Sequence, residues 1–163
     1  VLITGILLFF GHDLLDNITM PEKGFSGNLI KILFTARGTV LPVSSSHFIG
    51  VFYAILPWTG VMLLGYSAGY WFRREYSAKK RKQLLLTTGI SFIMLFIVLR
   101  FFNWYGEPVT WVKNHFLSFL NTSQYPPSLL YLCMTLGPAL VALAFLENVH
   151  TRWSSFISVY GRV

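Results

Sequence analysis

The chain has 163 residues, 54% of them hydrophobic, 17% aromatic and only 12% charged, with a mean hydropathy of +0.57 and a formal net charge of +7. So apolar and charge-poor a composition excludes an ordinary soluble domain. Six of the thirteen Lys and Arg residues crowd between Arg73 and Gln83, in a turn between apolar runs, so the positive charge points to membrane topology and not to nucleic acid.

Val1–Phe10 (VLITGILLFF) opens the chain. It is too short to cross a hydrocarbon core of about 30 Å, which takes about 20 residues of helix. Residues 1–11 are expected to be the outer half of a truncated span. No basic segment precedes them, so a signal peptide is not expected. The start inside an apolar run, and the end at Arg162–Val163 without a closing signal, read as an internal piece of a longer membrane protein.

Residues 12–49 form a long mixed loop punctuated by Pro21, Gly24 and Gly27. Asn28–Ala36 (NLIKILFTA) is expected as a short helix lying in the interface. A first complete span is predicted over about 50–72, with no charge from Phe52 to Phe72. Pro57 predicts a kink if the helix starts before it. Gly65 and Gly69 have the Gly-x-x-x-Gly spacing that lets another helix approach closely, a spacing that chance also produces.

Residues 73–83 read RREYSAKKRKQ. Lys and Arg concentrate in short cytoplasmic loops, so Arg73–Lys82 is placed in the cytoplasm. Anionic lipid headgroups are its natural neighbours. A second span follows over 84–102, with Arg100 as its one charge. Residues 103–127 form a second outer loop, whose Trp104, Tyr105, Trp111 and Tyr125 suit a membrane interface. Val112–Leu120 has helical apolar spacing and is expected to lie flat on the surface. The third complete span covers 128–146 and holds Cys133, the only cysteine. A lone cysteine forms no intrachain disulfide, and its apolar surroundings suggest an inert buried thiol. Gly137–Pro138 predicts a kink there. Glu147–Arg152 is a short inner loop, and Trp153–Tyr160 begins a further segment. The fold class expected is all-α: a polytopic transmembrane helical bundle, one domain over 1–163, with three complete spans plus truncated terminal spans. Outer-loop charges balance, Asp13, Asp16, Glu22 and Glu107 against Lys23, Lys31, Arg37 and Lys113.

Polar residues gather at the outer ends of these spans: His12, Asp13 and Asp16; His47 beside Ser44–Ser46; Asn103, Tyr105 and Glu107; Asn121, Thr122 and Tyr125. Brought together in a bundle they would form one outward-facing pocket. A histidine oriented by a carboxylate is a general-base arrangement, so His12 and His47 are the catalytic candidates. Asp13, Asp16, Arg100, Asn103, Tyr105, Asn121 and Tyr125 are the substrate-binding candidates. Each also has a plainer reading. His12 and Asp13 can cap a helix end. His47 can sit in the interface. Asn103 and Asn121 can cap or turn. Arg100 can snorkel to headgroups; buried, it would be a functional residue, stabilising a polar acceptor or an acyl oxyanion. The sequence has no Gly-rich phosphate loop, His-x-x-x-His, cysteine pair or Gly-x-Ser-x-Gly, and no metal is expected. Spans almost free of charge weigh against an ion-coupled transporter.

Several stretches resemble the heparan-alpha-glucosaminide N-acetyltransferase-like integral membrane proteins, in their bacterial branch. They are GHDLLD (Gly11–Asp16), FYAILPWTGVMLLGYSAGYWF (Phe52–Phe72), VLRFFNWYGEPVTW (Val98–Trp111), SFLNTSQYPPSLLYLCMTLGPAL (Ser118–Leu140) and the terminal YGRV, in the same order. LNTSQYPPSLLYL is the most specific of them. The resemblance implies part of a multi-span acyltransferase of the bacterial inner membrane, which takes an acetyl group from cytoplasmic acetyl-CoA to a sugar or glycan at the outer face. It places the family's N-terminal spans, with the acyl-accepting histidine, outside this chain, so His12 and His47 do not inherit that role and the isolated piece is expected to be inactive. The implied partners are the lipid bilayer and a glycan acceptor, with no nucleic acid. The alternative is a non-enzymatic membrane transporter or flippase, or a structural membrane module.

Overall fold

The computed structural model describes residues 1–17, 24–35, 39–42, 44, 46–51, 53–112, 115–147 and 149. Glu22, Lys23, Arg37, Lys113, residues 151–152, Trp153–Tyr160 and the terminal YGRV, read above, lie outside the described residues. The fold is mostly helical. Helix α1 is Leu2–Gly11, followed by a 3-10 turn His12–Asn17. Helix α2, Gly24–Ile30, continues as a π turn over Lys31–Thr35, close to the short helix expected at 28–36.

The first departure comes next. Thr39–Pro42 (β1) and Phe48–Val51 (β2) pair antiparallel, with Val40 opposite Gly50 and Leu41 opposite Ile49. The Ser44 and His47 backbones close the turn. Apolar residues spaced for a ribbon thus take the segment that the span had been expected to enter at residue 50. Helix α3 starts only at Ile55 and runs to Ala68, with a 3-10 turn Gly69–Phe72 completing it. Pro57 therefore falls in the first helical turn, where its missing N–H costs no intrahelical bond, so it gives no kink.

Helix α4 is Ala78–Phe102, capped at its start by the Ser77 side chain, which accepts from the Lys80 N–H, and at its end by Asn103 in the left-handed conformation (φ 51°). A short helix α5 covers Phe116–Leu120, less than the 112–120 expected. Helix α6 is Leu129–Leu146; its Ser128 cap accepts from the Tyr131 N–H, and the helix continues through Pro138.

Of these, α4 and α6 are long and apolar enough to cross a membrane. Only 22% and 33% of their most apolar windows is buried inside the protein. Ile90, Met94, Ile97 and Phe101 of α4 and Leu143, Phe145 and Leu146 of α6 point outward.

Glycines set how the helices meet. A Cβ on Gly89 would lie 2.8 Å from the Gly137 carbonyl oxygen, and one on Gly137 would lie 2.8 Å from Ile93. The α4 and α6 backbones therefore touch, and Arg81 meeting Glu147 fixes them as antiparallel. Gly5 of α1 and Gly60 of α3 make the matching approach, with added Cβ atoms at 3.1 Å from Leu63 and 3.0 Å from Leu8. The Gly65–Gly69 pair singled out by its spacing faces open space. The core sits where α1 and α4 end and α6 begins: Phe9, Phe96, Leu129, Leu130, Leu132 and Cys133, with Phe9 stacked on Phe92 at 5.4 Å. Cys133 is buried and free, as its apolar surroundings suggested.

Candidate functional site

The last turn of a helix leaves carbonyls without partners, and the first turn leaves N–H groups. At one end of the bundle both sets are satisfied by side chains from distant segments. His12, just past α1, approaches the Leu8 carbonyl through Nδ1 (3.0 Å) and the Pro127 carbonyl through Nε2 (2.9 Å). Nε2 is also 3.1 Å from Asp13 Oδ1. All three partners are acceptors, so both ring nitrogens must donate, which only the imidazolium does. Burial, the largest single influence, pulls the His12 pKa down; the hydrogen bond and charge of Asp13, with the Pro127 and Leu8 carbonyls, outweigh it and raise the pKa.

Asp13 uses its other oxygen to accept the Leu129 N–H at 2.8 Å, at the first residue of α6. A cation thus closes the negative end of α1 and an anion the positive end of α6. The Tyr105 hydroxyl donates to the Phe10 carbonyl, holding the loop after α4 to the end of α1. Glu107 completes the knot. It accepts from the Ser123 N–H (2.9 Å), the Ser123 hydroxyl (2.5 Å) and the Ser128 hydroxyl (2.7 Å). Gly106, at φ +86°, brings its carbonyl to the Leu130 N–H (2.9 Å) where a Cβ would press on Leu129.

Arg100 is 1% exposed, so it does not snorkel. Its guanidinium donates to four carbonyls: Phe119 (3.0 Å), Val109 (2.7 Å), Ser118 (2.8 Å) and Asn121 (2.6 Å). This folds the 103–127 loop around the end of α4. These bonds commit Arg100 to the loop rather than to an acceptor or an oxyanion.

The expected pocket residues therefore separate into two groups. His12, Asp13, Tyr105 and Arg100 are gathered in the closed knot, with Asn121 contributing its backbone carbonyl. Asp16 lies in the 3-10 turn after α1. Asn103 caps α4 and accepts the Trp111 N–H at 3.2 Å. His47 is exposed in the ribbon turn, bonded to the Ser46 hydroxyl at 3.0 Å. Tyr125 is exposed beside Tyr53, their hydroxyls 3.4 Å and ring centroids 5.3 Å apart, and Gln124 Nε2 donates to the Tyr125 hydroxyl at 3.2 Å. The hydrogen bond shared with the Tyr53 hydroxyl leads the influences that raise the Tyr125 pKa.

Sequence reasoning missed Ser128 and the Pro127 carbonyl as anchors. A serine directly before an apolar run is a helix-start signal that could have found the first. Nothing local marks the second. Among the described residues no group of His, Cys, Asp and Glu could hold a metal ion. Compared with protein-family models, curated proteins and solved structures, the chain matches none.

Proposed function

We propose that the chain is part of a polytopic integral membrane acyltransferase that delivers an acetyl group from acetyl-CoA to a sugar or glycan at the outer face. In this reading α4 and α6 are complete spans, α3 with its 3-10 end a third, and α1 a partial one. The basic turn is cytoplasmic, and the His12–Asp13 knot faces outward. The outward apolar faces of α4 and α6 support the membrane part, since soluble proteins rarely expose so large an apolar surface.

The observation that carries the acceptor side is the exposed Tyr53–Tyr125 pair, with Gln124, next to the buried knot. A tyrosine offers an apolar ring face and a hydroxyl together, which suits a sugar with its C–H face and hydroxyl groups. The acetyl-transfer chemistry rests on the resemblance of the LNTSQYPPSLLYL segment, which here forms the α6 end of the knot. His12, bonded on both ring nitrogens, suits positioning rather than proton abstraction. Arg100, the one charge in α4 beyond its basic first turns, is committed to four carbonyls, which weighs against ion-coupled transport.

Membrane vesicles holding the protein, given radiolabelled acetyl-CoA on the cytoplasmic side, are expected to place label on glycans at the outer face. Tyr53→Ala and Tyr125→Ala are each expected to lower acceptor kcat/KM about fivefold, from the ~1 kcal/mol an aromatic contact supplies. No label on any offered glycan, with substrate movement that follows an ion gradient, would replace the enzyme by a transporter.

A further inference from the structure

A cavity of about 360 Å³ lies between the α1–α3 pair and the α4–α6 pair. Its size falls in the range of small-molecule sites, about 300–1,000 Å³. Leu64, Gly65, Phe92 and Leu136 line its middle, and Ala68 and Trp71 carry it toward the basic turn. The wall is almost entirely apolar. One of its few hydroxyls, Ser67, already donates to the Leu63 carbonyl at 2.8 Å. Two residues past Trp71 the basic turn begins. Arg73 and Arg74 are exposed there, and Lys79 and Lys80 are exposed in the first turn of α4, with Arg73 stacked over Tyr70 and Lys80 over Tyr76. Among the described residues only Arg81 of this cluster pairs with a carboxylate, Glu147. The apolar cleft thus reaches, at Trp71, the start of a segment of net positive charge in which Glu75 is the one carboxylate.

We propose that this cleft and its basic rim form a binding site for an anionic phospholipid, with an acyl chain between α1, α3, α4 and α6 and the phosphate at Arg74, Lys79 and Lys80. The site rests on the membrane reading given above. The charge complementarity selects the occupant: a packed helix would fill the cleft without drawing on the rim, whereas a lipid uses both. Basic pockets between spans on the cytoplasmic side bind anionic headgroups in this way.

The test starts from the full chain reconstituted in vesicles of phosphatidylethanolamine and phosphatidylglycerol, extracted in mild detergent and weighed intact by native mass spectrometry. Phosphatidylglycerol is expected to be retained in preference to phosphatidylethanolamine. R74Q/K79Q/K80Q is expected to lower that preference at least tenfold, since each basic residue near an anionic surface is worth about fivefold. Gly65→Leu fills the cleft from a position where an added Cβ meets nothing within 4 Å; it is expected to fold and to lose both lipids. Equal retention of the two lipids by the unaltered chain would overturn the proposal. So would a preference that survives Gly65→Leu, or displacement of the lipid by free coenzyme A, which would assign the rim to a soluble anion. Carbonate extraction of the same vesicles separates the two readings: a chain released by carbonate fails the membrane reading itself, and a retained chain without lipid preference fails only this site.

Discussion

At the scale of single residues, the deciding chemistry is how His12 and Asp13 are bonded, not that they are neighbours. The pair is buried, with relative exposures of 7% each, and joins two helix ends. Removing one partner leaves the other charged and unpaired, so Asp13→Ala is expected to cost about 3–5 kcal/mol of stability in detergent, read from chemical or thermal unfolding. The pH dependence has a definite sign. The folded His12 pKa is raised above its ordinary value of 6.5, so its contribution is complete below about pH 6.5 and is lost as pH climbs through the raised folded value. Thermal midpoints are expected to fall as pH rises above about 6.5 and through the raised folded value, and Asp13→Asn should flatten that slope. An unchanged slope in Asp13→Asn would mean that the pair does not set the titration. Arg100 offers the second residue-scale test. Lysine keeps the charge but not the planar fork, so Arg100→Lys is expected to free the 103–127 loop, with faster limited proteolysis there and a loss of about 2–3 kcal/mol. Equal protease resistance would remove Arg100 as the organiser of that loop.

At the scale of elements, glycine position matters more than glycine spacing. Gly65 and Gly69 have the familiar four-residue spacing, yet no neighbour approaches them, while Gly89 and Gly137 carry the backbone contact of α4 with α6. Gly89→Ala would drive a methyl against the Gly137 carbonyl and Val141, and is expected to destabilise by about 1–3 kcal/mol. Gly65→Ala meets open space and is expected to gain about 0.5–1 kcal/mol from helix propensity. Reversal of that order in unfolding measurements would sink the assigned helix contact. The same scale shows why the start of α3 was misread. Residues 48–51 are as apolar as those that follow, and hydropathy cannot separate a strand from a helix in so short a run. The partner strand at 39–42 decides it, through pairing that only the folded chain supplies. The start of α6 at Leu129 agrees with the span expected from 128, but α4 begins at Ala78, six residues before the expected 84, because Ser77 caps a helix whose first turns run through the basic segment that hydropathy assigns to a loop.

At the scale of the molecule, the two ends differ in kind: one is a closed knot of hydrogen bonds, the other an exposed basic segment joining α3 to α4. That polarity makes the proposed topology testable with one native cysteine in place, since Cys133 is 0% exposed and an impermeant maleimide does not reach it. In intact vesicles, a cysteine replacing exposed Ser46 is expected to label from the outer side. One replacing exposed Ser77 is expected to label only after the vesicles are opened. Labelling of both from one side would mean that α3 does not cross.

The sequence by itself determined the apolar helices and the charged turn between them, because hydrophobic length and charge placement are local quantities that no partner alters. It also assembled most members of the knot as a list, since polar residues at the ends of apolar runs stand out one by one. Only the tertiary structure decided which of them meet. His12 reaches a carbonyl at Pro127, and Arg100 gathers carbonyls from Val109 to Asn121. Backbone acceptors are present at every residue, so no sequence pattern marks the few that a buried cation will use. For the same reason two residues that had suggested chemistry, His12 and Arg100, are held by bonds that leave them to position the helix ends.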